Sequence, residues 1–133
     1  MADPYKGNAM YIKFGSTVLS TRYKSYNESD EVGLVDKSSG ADTRRTYLST
    51  LADGGASLEF LQEAGGTAIM TATAIGSSGT LEWGPEGTAS GKPKYTVLAL
   101  VKGRKINYIH DDVVKVTLDF QYNTPTGVSS TTY

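Results

Sequence analysis

Apolar and polar residues alternate along much of this chain, and the period is two. Met10, Ile12 and Phe14 alternate with Tyr11 and Lys13. This predicts a half-buried strand, because successive side chains of extended backbone point to opposite faces. Gly15-Ser16 is a turn, and Thr17-Val18-Leu19 resumes extended structure that continues through Thr21, Tyr23 and Ser25. Asn27 to Glu31 reads as a polar break, and Val32 with Leu34-Val35 as a further short strand. Asp36 to Asp42 is rich in turn formers, and the whole span Asp36–Thr46 has almost no apolar content. Connections of that length in compact domains are usually functional or disordered. Tyr47–Leu51 reads as extended, Asp53-Gly54-Gly55 as a turn, and Ala56, Leu58 and Phe60 as the inward set of a strand over Gly55–Gln62.

One helix is predicted after Gly65-Gly66. Thr67 is placed to cap it, and Ala68, Ile69, Ala72 and Ile75 share a face, although Thr71, Thr73 and Ile75 also suit a strand. Gly76-Ser77-Ser78-Gly79 ends it. Thr80–Trp83 is the next strand, followed by the turn Gly84–Gly87. Residues Tyr95–Val101 are apolar on both faces, which predicts a central strand, with a kink or turn at Gly103 before Ile106, Tyr108 and His110. Val114, Val116, Leu118, Phe120 and Tyr122 then alternate with Lys115, Thr117, Asp119 and Gln121 without a miss. That pattern predicts an antiparallel strand with one wet face. The expected architecture is mainly β: an antiparallel sandwich or partial barrel of about seven or eight strands with one short flanking helix and one long loop. Residues 1–133 read as one domain with flexible extensions at 1–9 and 123–133.

Composition narrows the chemistry. The chain has 133 residues, no cysteine and one histidine, which excludes disulfide frameworks, thiol catalysis and multi-histidine metal sites. Thirteen basic and fourteen acidic residues leave a formal charge of −1, unlike a strongly basic nucleic-acid binder. No apolar run approaches the length of a membrane helix. Met1-Ala2-Asp3-Pro4-Tyr5 lacks a signal-peptide start, so export by that route is not expected.

Few motifs survive inspection. Gly87-Thr88-Ala89-Ser90-Gly91-Lys92 is one residue short of a phosphate loop, with Pro93 where the magnesium-binding hydroxyl belongs. Gly76-Ser77-Ser78-Gly79 lacks the last glycine of a nucleophile elbow. Asn27-Glu28-Ser29 matches a glycosylation acceptor by chance, and Asp36, Ser38, Gly40 and Asp42 lack the spacing of a calcium loop. His110-Asp111-Asp112 offers two readings. His110 and Asp112 could converge as a metal pair or a base, with a third ligand from elsewhere; the plainer reading is a tight turn between strands. No cofactor or metal is expected. Charge is segregated: Glu28–Asp42 holds five acids and one base, and Lys92–Lys105 five bases and no acid. Such runs are solvated faces or complementary surfaces between subunits.

The order of these features resembles the tail tube proteins of long-tailed, siphovirus-like bacteriophages. The likeness runs over most of the chain. It starts at Tyr11–Thr17 and continues through the polar loop ending in Arg44-Arg45, the strand Gly55–Gln62 and the helix. It closes with Gly79–Trp83, Gly87–Lys94 and the two long strands around His110–Val114. The run Val114–Gln121 is especially similar to the family's last strand. The resemblance implies a structural virion protein and not an enzyme: a β-sandwich whose hexameric rings stack into a tube with a polar lumen around the tape-measure protein, through which DNA passes. It implies tail-terminator and distal-tail partners, no membrane, assembly in the host cytoplasm and residence in the virion tail. It places Asp36, Lys37, Asp42, Arg44 and Arg45 in an inter-ring loop. Lys92, Lys94, Lys102, Arg104 and Lys105 are expected on a complementary basic surface, and Lys115, Thr117, Asp119 and Gln121 on the lumen strand. Tail terminators and the type VI secretion tube share this fold and stay open. So do two readings from other classes: a monomeric sugar- or surface-binding sandwich using Trp83 and tyrosines as a stacking platform, and an enzyme using His110 with Asp112.

Overall fold

The structure, a computed structural model, describes Asp3 and residues 6–133. The part of the N-terminal extension formed by Met1, Ala2, Pro4 and Tyr5 lies outside the described residues. After a 3-10 turn at Gly7–Ala9, eight strands follow. They are β1 (Tyr11–Phe14), β2 (Thr17–Val18), β3 (Tyr23–Asp36), β4 (Tyr47–Leu61), β5 (Ser78–Gly84), β6 (Pro93–Asn107), β7 (Lys115–Tyr122) and β8 (Ser129–Thr132). The helix α1 (Thr67–Ala72) sits between β4 and β5.

All the strands belong to one antiparallel sheet in the order β2-β1-β5-β6-β7-β4-β3. β8 pairs Pro93–Thr96 of β6, while β7 pairs Ala99–Asn107 of the same strand. The sheet curls on itself without closing. Phe14 on β1 meets Phe120 on β7, with ring centroids 5.2 Å apart, and Tyr26 on β3 meets Trp83 on β5 at 5.5 Å. Neither pair lies on neighbouring strands, so the concave side encloses the core. Every second residue supplies it: Ile12 and Phe14, Ala56, Leu58 and Phe60, Leu81 and Trp83, Val97, Ala99 and Val101, Val116, Leu118 and Phe120. The alternation in the sequence is therefore the alternation of core and outer face.

Several sequence-based expectations are corrected. The polar break at Asn27–Glu31 is strand: β3 runs through it, because backbone pairing with Asp53–Ser57 suffices where no side chain is buried. Asp53-Gly54-Gly55 is likewise strand. A Cβ on Gly55 would sit 2.5 Å from the Phe120 carbonyl oxygen, and one on Gly54 2.7 Å from that of Ser29. The glycines thus serve close approach of backbones where β4 enters the body, and not a reversal. Gly103, expected as a kink or turn, is an irregularity within the strand: β6 continues past it, with a register shift between Val101 and Gly103.

Thr67 is the first residue of α1 and Gly66 its cap, with no side-chain capping bond. Ile69 and Met70 pack on the core, Thr73 is buried, and Ile75 is exposed. The Thr73 hydroxyl donates to the Ile69 carbonyl (2.7 Å) and helps end the helix. The last strand is β8, not β7: residues 129–132 of the expected loose tail pair with β6 because that strand extends beyond β7 and leaves backbone groups to satisfy.

Candidate assembly surface

β3 and β4 form a hairpin far longer than the sheet body needs. β4 pairs β7 only from Gly55 to Leu61, whereas its pairing with β3 continues out to Asp36 opposite Tyr47. The outer half, beyond Gly54, is an arm held by one ladder. It carries Val32, Leu34, Val35, Tyr47, Leu48 and Leu51 exposed, with Leu51 at 92%. Six of the twelve large apolar side chains exposed among the described residues lie on this projecting element, which makes it a candidate interaction surface.

The loop 37–46 closes the arm, and all five residues expected there cluster at its tip. The two acids are used internally. The Asp36 carboxylate accepts from the Ser38 N–H (2.8 Å) and Asp42 from the Ser39 N–H (2.8 Å), while the Ser38 hydroxyl accepts from the Thr46 N–H (2.7 Å). These backbone and side-chain bonds from Ser38 hold the Asp36 carboxyl below its ordinary value of 3.8. Lys37, Arg44 and Arg45 are exposed, and among the described residues none of them has an ion-pair partner.

The five basic residues from 92 to 105 are spread along β6 and its approach. Lys92 lies 3.9 Å from Glu86, and Lys94 3.7 Å from Glu82 and over the Tyr133 ring. Arg104 donates to the Met70 carbonyl (2.9 Å) and ties α1 to the sheet. Lys102 and Lys105 are exposed.

Lys115, Thr117, Asp119 and Gln121 lie on the face of β7 opposite the core residues. Thr117 stands opposite Glu59 and Lys105, and Asp119 opposite Ser57 and Gly103. The Gln121 amide donates to Asp53 (2.5 Å) and to the Gly54 carbonyl (3.0 Å), joining β7 to the root of the arm. A shallow cleft of about 390 Å³ lies here, lined by Asp53, Lys102, Asp119 and Gln121 among others. Its polar groups carry both signs of charge.

His110, Asp111 and Asp112 form an exposed turn after β6. Asp111 adopts φ 65°, and His110 Nε2 is 3.4 Å from the Asp111 carboxylate. Asp112 accepts from the Val113 N–H. His110 and Asp112 do not converge, and among the described residues no three His, Asp or Glu side chains gather as metal ligands. Trp83 is 3% exposed and packs against Tyr26, Tyr95 and Tyr122. It is a core residue and not a surface stacking platform. No helix is long and apolar enough to cross a membrane among the described residues.

Sequence reasoning missed the arm, because Asn27–Glu31 read as a polar break and the exposed apolar residues beyond it as two short strands flanking the loop Asp36–Thr46. It also missed the contacts that tie the far ends of the chain into the body. The Tyr122 hydroxyl donates to Glu28 (3.4 Å), and the Tyr133 hydroxyl to Glu82 (3.1 Å). Burial, then the Glu82 carboxylate, push the Tyr133 phenol up to about 12. Nothing in the pattern of the sequence pairs residues so far apart.

No protein-family model matches the chain, and no curated protein matches it in sequence. Solved structures do match. A chain of the SPP1 tail tube superposes with a TM-score of 0.74 at 13% identity, over 98% of this chain and 80% of that one. A chain of the native gene transfer agent virion gives 0.72 at 12% identity, over 96% and 99%. A chain of the PVC sheath/tube terminator of an extracellular contractile injection system gives 0.75 at 9% identity, over 98% of both. At such identities the likeness is one of fold, and the chain has the fold that these tail and tube chains share.

Proposed function

We propose that this protein is a structural tail-tube subunit whose hexameric rings stack into a tube in a virion tail. The observation that carries the reading is the near-complete overlap, in both chains, with members of solved tail and tube assemblies. The arm supports it independently, since a projecting hairpin with exposed apolar residues suits a subunit buried among copies. In this reading β3, whose second edge is unpaired in the sheet order, and its counterpart edge are covered by neighbouring copies, which closes the barrel across subunits. The outer face with Lys115, Thr117, Asp119 and Gln121 lines the lumen. Its mixed charge lets the tape-measure protein reside there and DNA slide without being held. Asp36, Lys37, Asp42, Arg44 and Arg45 contact the next ring. Lys102 and Lys105 remain for contacts between copies, whereas Lys92, Lys94 and Arg104 hold the subunit's own fold. Tail-terminator and distal-tail proteins cap the two ends, and assembly takes place in the host cytoplasm.

Negative-stain electron microscopy of dilute and concentrated protein tests this. Rings or tubes with a central hole are expected on concentration. A protein that stays monomeric even with its tail-initiation partners defeats the reading.

A further inference from the structure

We infer that the arm tip of one copy seats on the β6–β7 turn of a second copy, so that successive rings meet head to tail through these two named surfaces. The inference rests on the tube reading and gives the inter-ring loop its receptor.

Strand register puts the two surfaces at opposite ends of the molecule. Asp36 faces Tyr47 where β4 begins; at its other end Leu61 faces Lys115, which in turn faces Asn107 at the start of the β6–β7 turn. β4 has 15 residues, so at about 3.3 Å per residue its ends lie roughly 45–50 Å apart. No chain can join its own tip to its own turn.

The two ends are complementary in two respects. Both expose large apolar side chains: Val35, Tyr47 and Leu48 at the tip, and Tyr108, Ile109 and Val113 at the turn, where Tyr108 is 75% exposed. Their charges oppose. At the tip Asp36 and Asp42 accept backbone N–H groups yet stay exposed, and Lys37, Arg44 and Arg45 outnumber them three to two, so the loop keeps a positive excess. At the turn Asp111 and Asp112 are exposed, and the left-handed backbone at Asp111 keeps the chain in a tight, projecting reversal. Lys105 and Lys115 stand behind the turn on the strands, on the outer face. An apolar contact ringed by opposite charges fixes both affinity and register. Because tip and turn are different surfaces, the contact is heterologous, and repetition gives an open-ended stack and not a closed dimer.

The absence of cysteine makes the test clean. Arg45→Cys and Asp112→Cys chains, one carrying a mass tag, are mixed at tube-forming concentration and mildly oxidised. Mixed disulfide dimers are expected to exceed either homodimer by about tenfold, since packing raises the effective concentration of only the matched thiols. Charge exchange gives a second readout. Arg44→Glu/Arg45→Glu and Asp111→Arg/Asp112→Arg should each leave rings that do not stack, and the four changes combined in one chain should restore tubes. Arg44 and Arg45 are exposed loop positions, so melting curves of that variant should stay unchanged, whereas Asp111 stands at φ 65° and Asp112 accepts from the Val113 N–H, so the turn variant should melt slightly lower while the body stays folded. Tubes with mixed dimers no more abundant than homodimers, or with tip-to-tip dimers dominant, overturn the inference and leave the tube reading standing. A wild-type chain that never assembles, even with initiation partners, overturns both.

Discussion

Single residues here act through what surrounds them. Leu118 is fully buried between Leu58 and Arg104 on the neighbouring strands. Leu118→Ala is expected to cost about 2–5 kcal/mol in a denaturant melt, from lost transfer energy plus a residual cavity. Gly55→Ala should cost about 1–3 kcal/mol, because the new Cβ meets the Phe120 backbone, which cannot yield as a flexible side chain could. Tyr133 gives a pH signature. Its folded pKa is about 12 against an ordinary value of 10. A raised value means that its contribution is whole below pH 10 and lost as pH climbs through the folded value. Thermal melts should hold steady up to about pH 10 and fall beyond it, and Tyr133→Phe should flatten the first part of that fall. Leu118 was legible from alternation alone, since a strand's inward set needs only period two. Gly55 was misread, because a glycine pair is the same signal whether the backbone reverses or is approached closely; only the neighbouring strand decides.

At the scale of elements, β1, β4 near its end, β5 and β7 were legible because each buries one face, and burial writes itself into the sequence; β6 was read from apolar residues on both faces, although Leu98 on its outer face is exposed. The arm was not, since neither of its faces is buried in the subunit and its strands carry no inward set. β8 was hidden in the same way. Four Ser and Thr residues pair by backbone, and the backbone writes nothing. The tip loop, in contrast, was placed correctly by its turn formers. Replacing residues 37–46 by Asn-Gly should therefore leave the thermal transition of the body nearly unchanged, because the arm's ladder and the core are separate, while removing tube growth in electron micrographs. Acid should do something related. Asp36 has a lowered folded value, so its contribution is present above pH 3.8 and lost as pH falls below it. Protection of the Ser38 amide, its exchange corrected for the intrinsic slowing in acid, should fall on acidification through that range before the core amides respond.

For the whole molecule, the candidate site divides by origin. The outer-face set of β7 followed from strict alternation, and the loop at the arm tip from composition; the lumen and inter-ring roles proposed for them came from the family resemblance alone. The basic run was visible as charge, but its partners were not, because Glu82, Glu86 and the Met70 carbonyl are brought to it by the fold. If the outer face lines the channel, its balance of charge governs transit. Asp119→Lys with Gln121→Lys should give tubes that retain DNA at about 0.15 M salt and release it steeply as salt rises, measured by co-sedimentation. Wild-type tubes should retain little at the same salt.

The arm also has a mechanical meaning. It is continuous with β4, a strand that runs without a break from the tip into the most deeply packed part of the sheet. Force applied along the arm is shared by many ladder bonds loaded together, since these bonds lie across the strands. Force that bends it falls on Gly54 and Gly55, where side chains are absent and the Gln121 amide and the Tyr122 hydroxyl bridge from β7 to the root. The hairpin thus yields most readily at its glycine root and at the ladder irregularity between Val32 and Leu34, the behaviour of a leaf spring clamped at its base. If the subunits stack as proposed, the column flexes as a whole while each subunit's core keeps its shape.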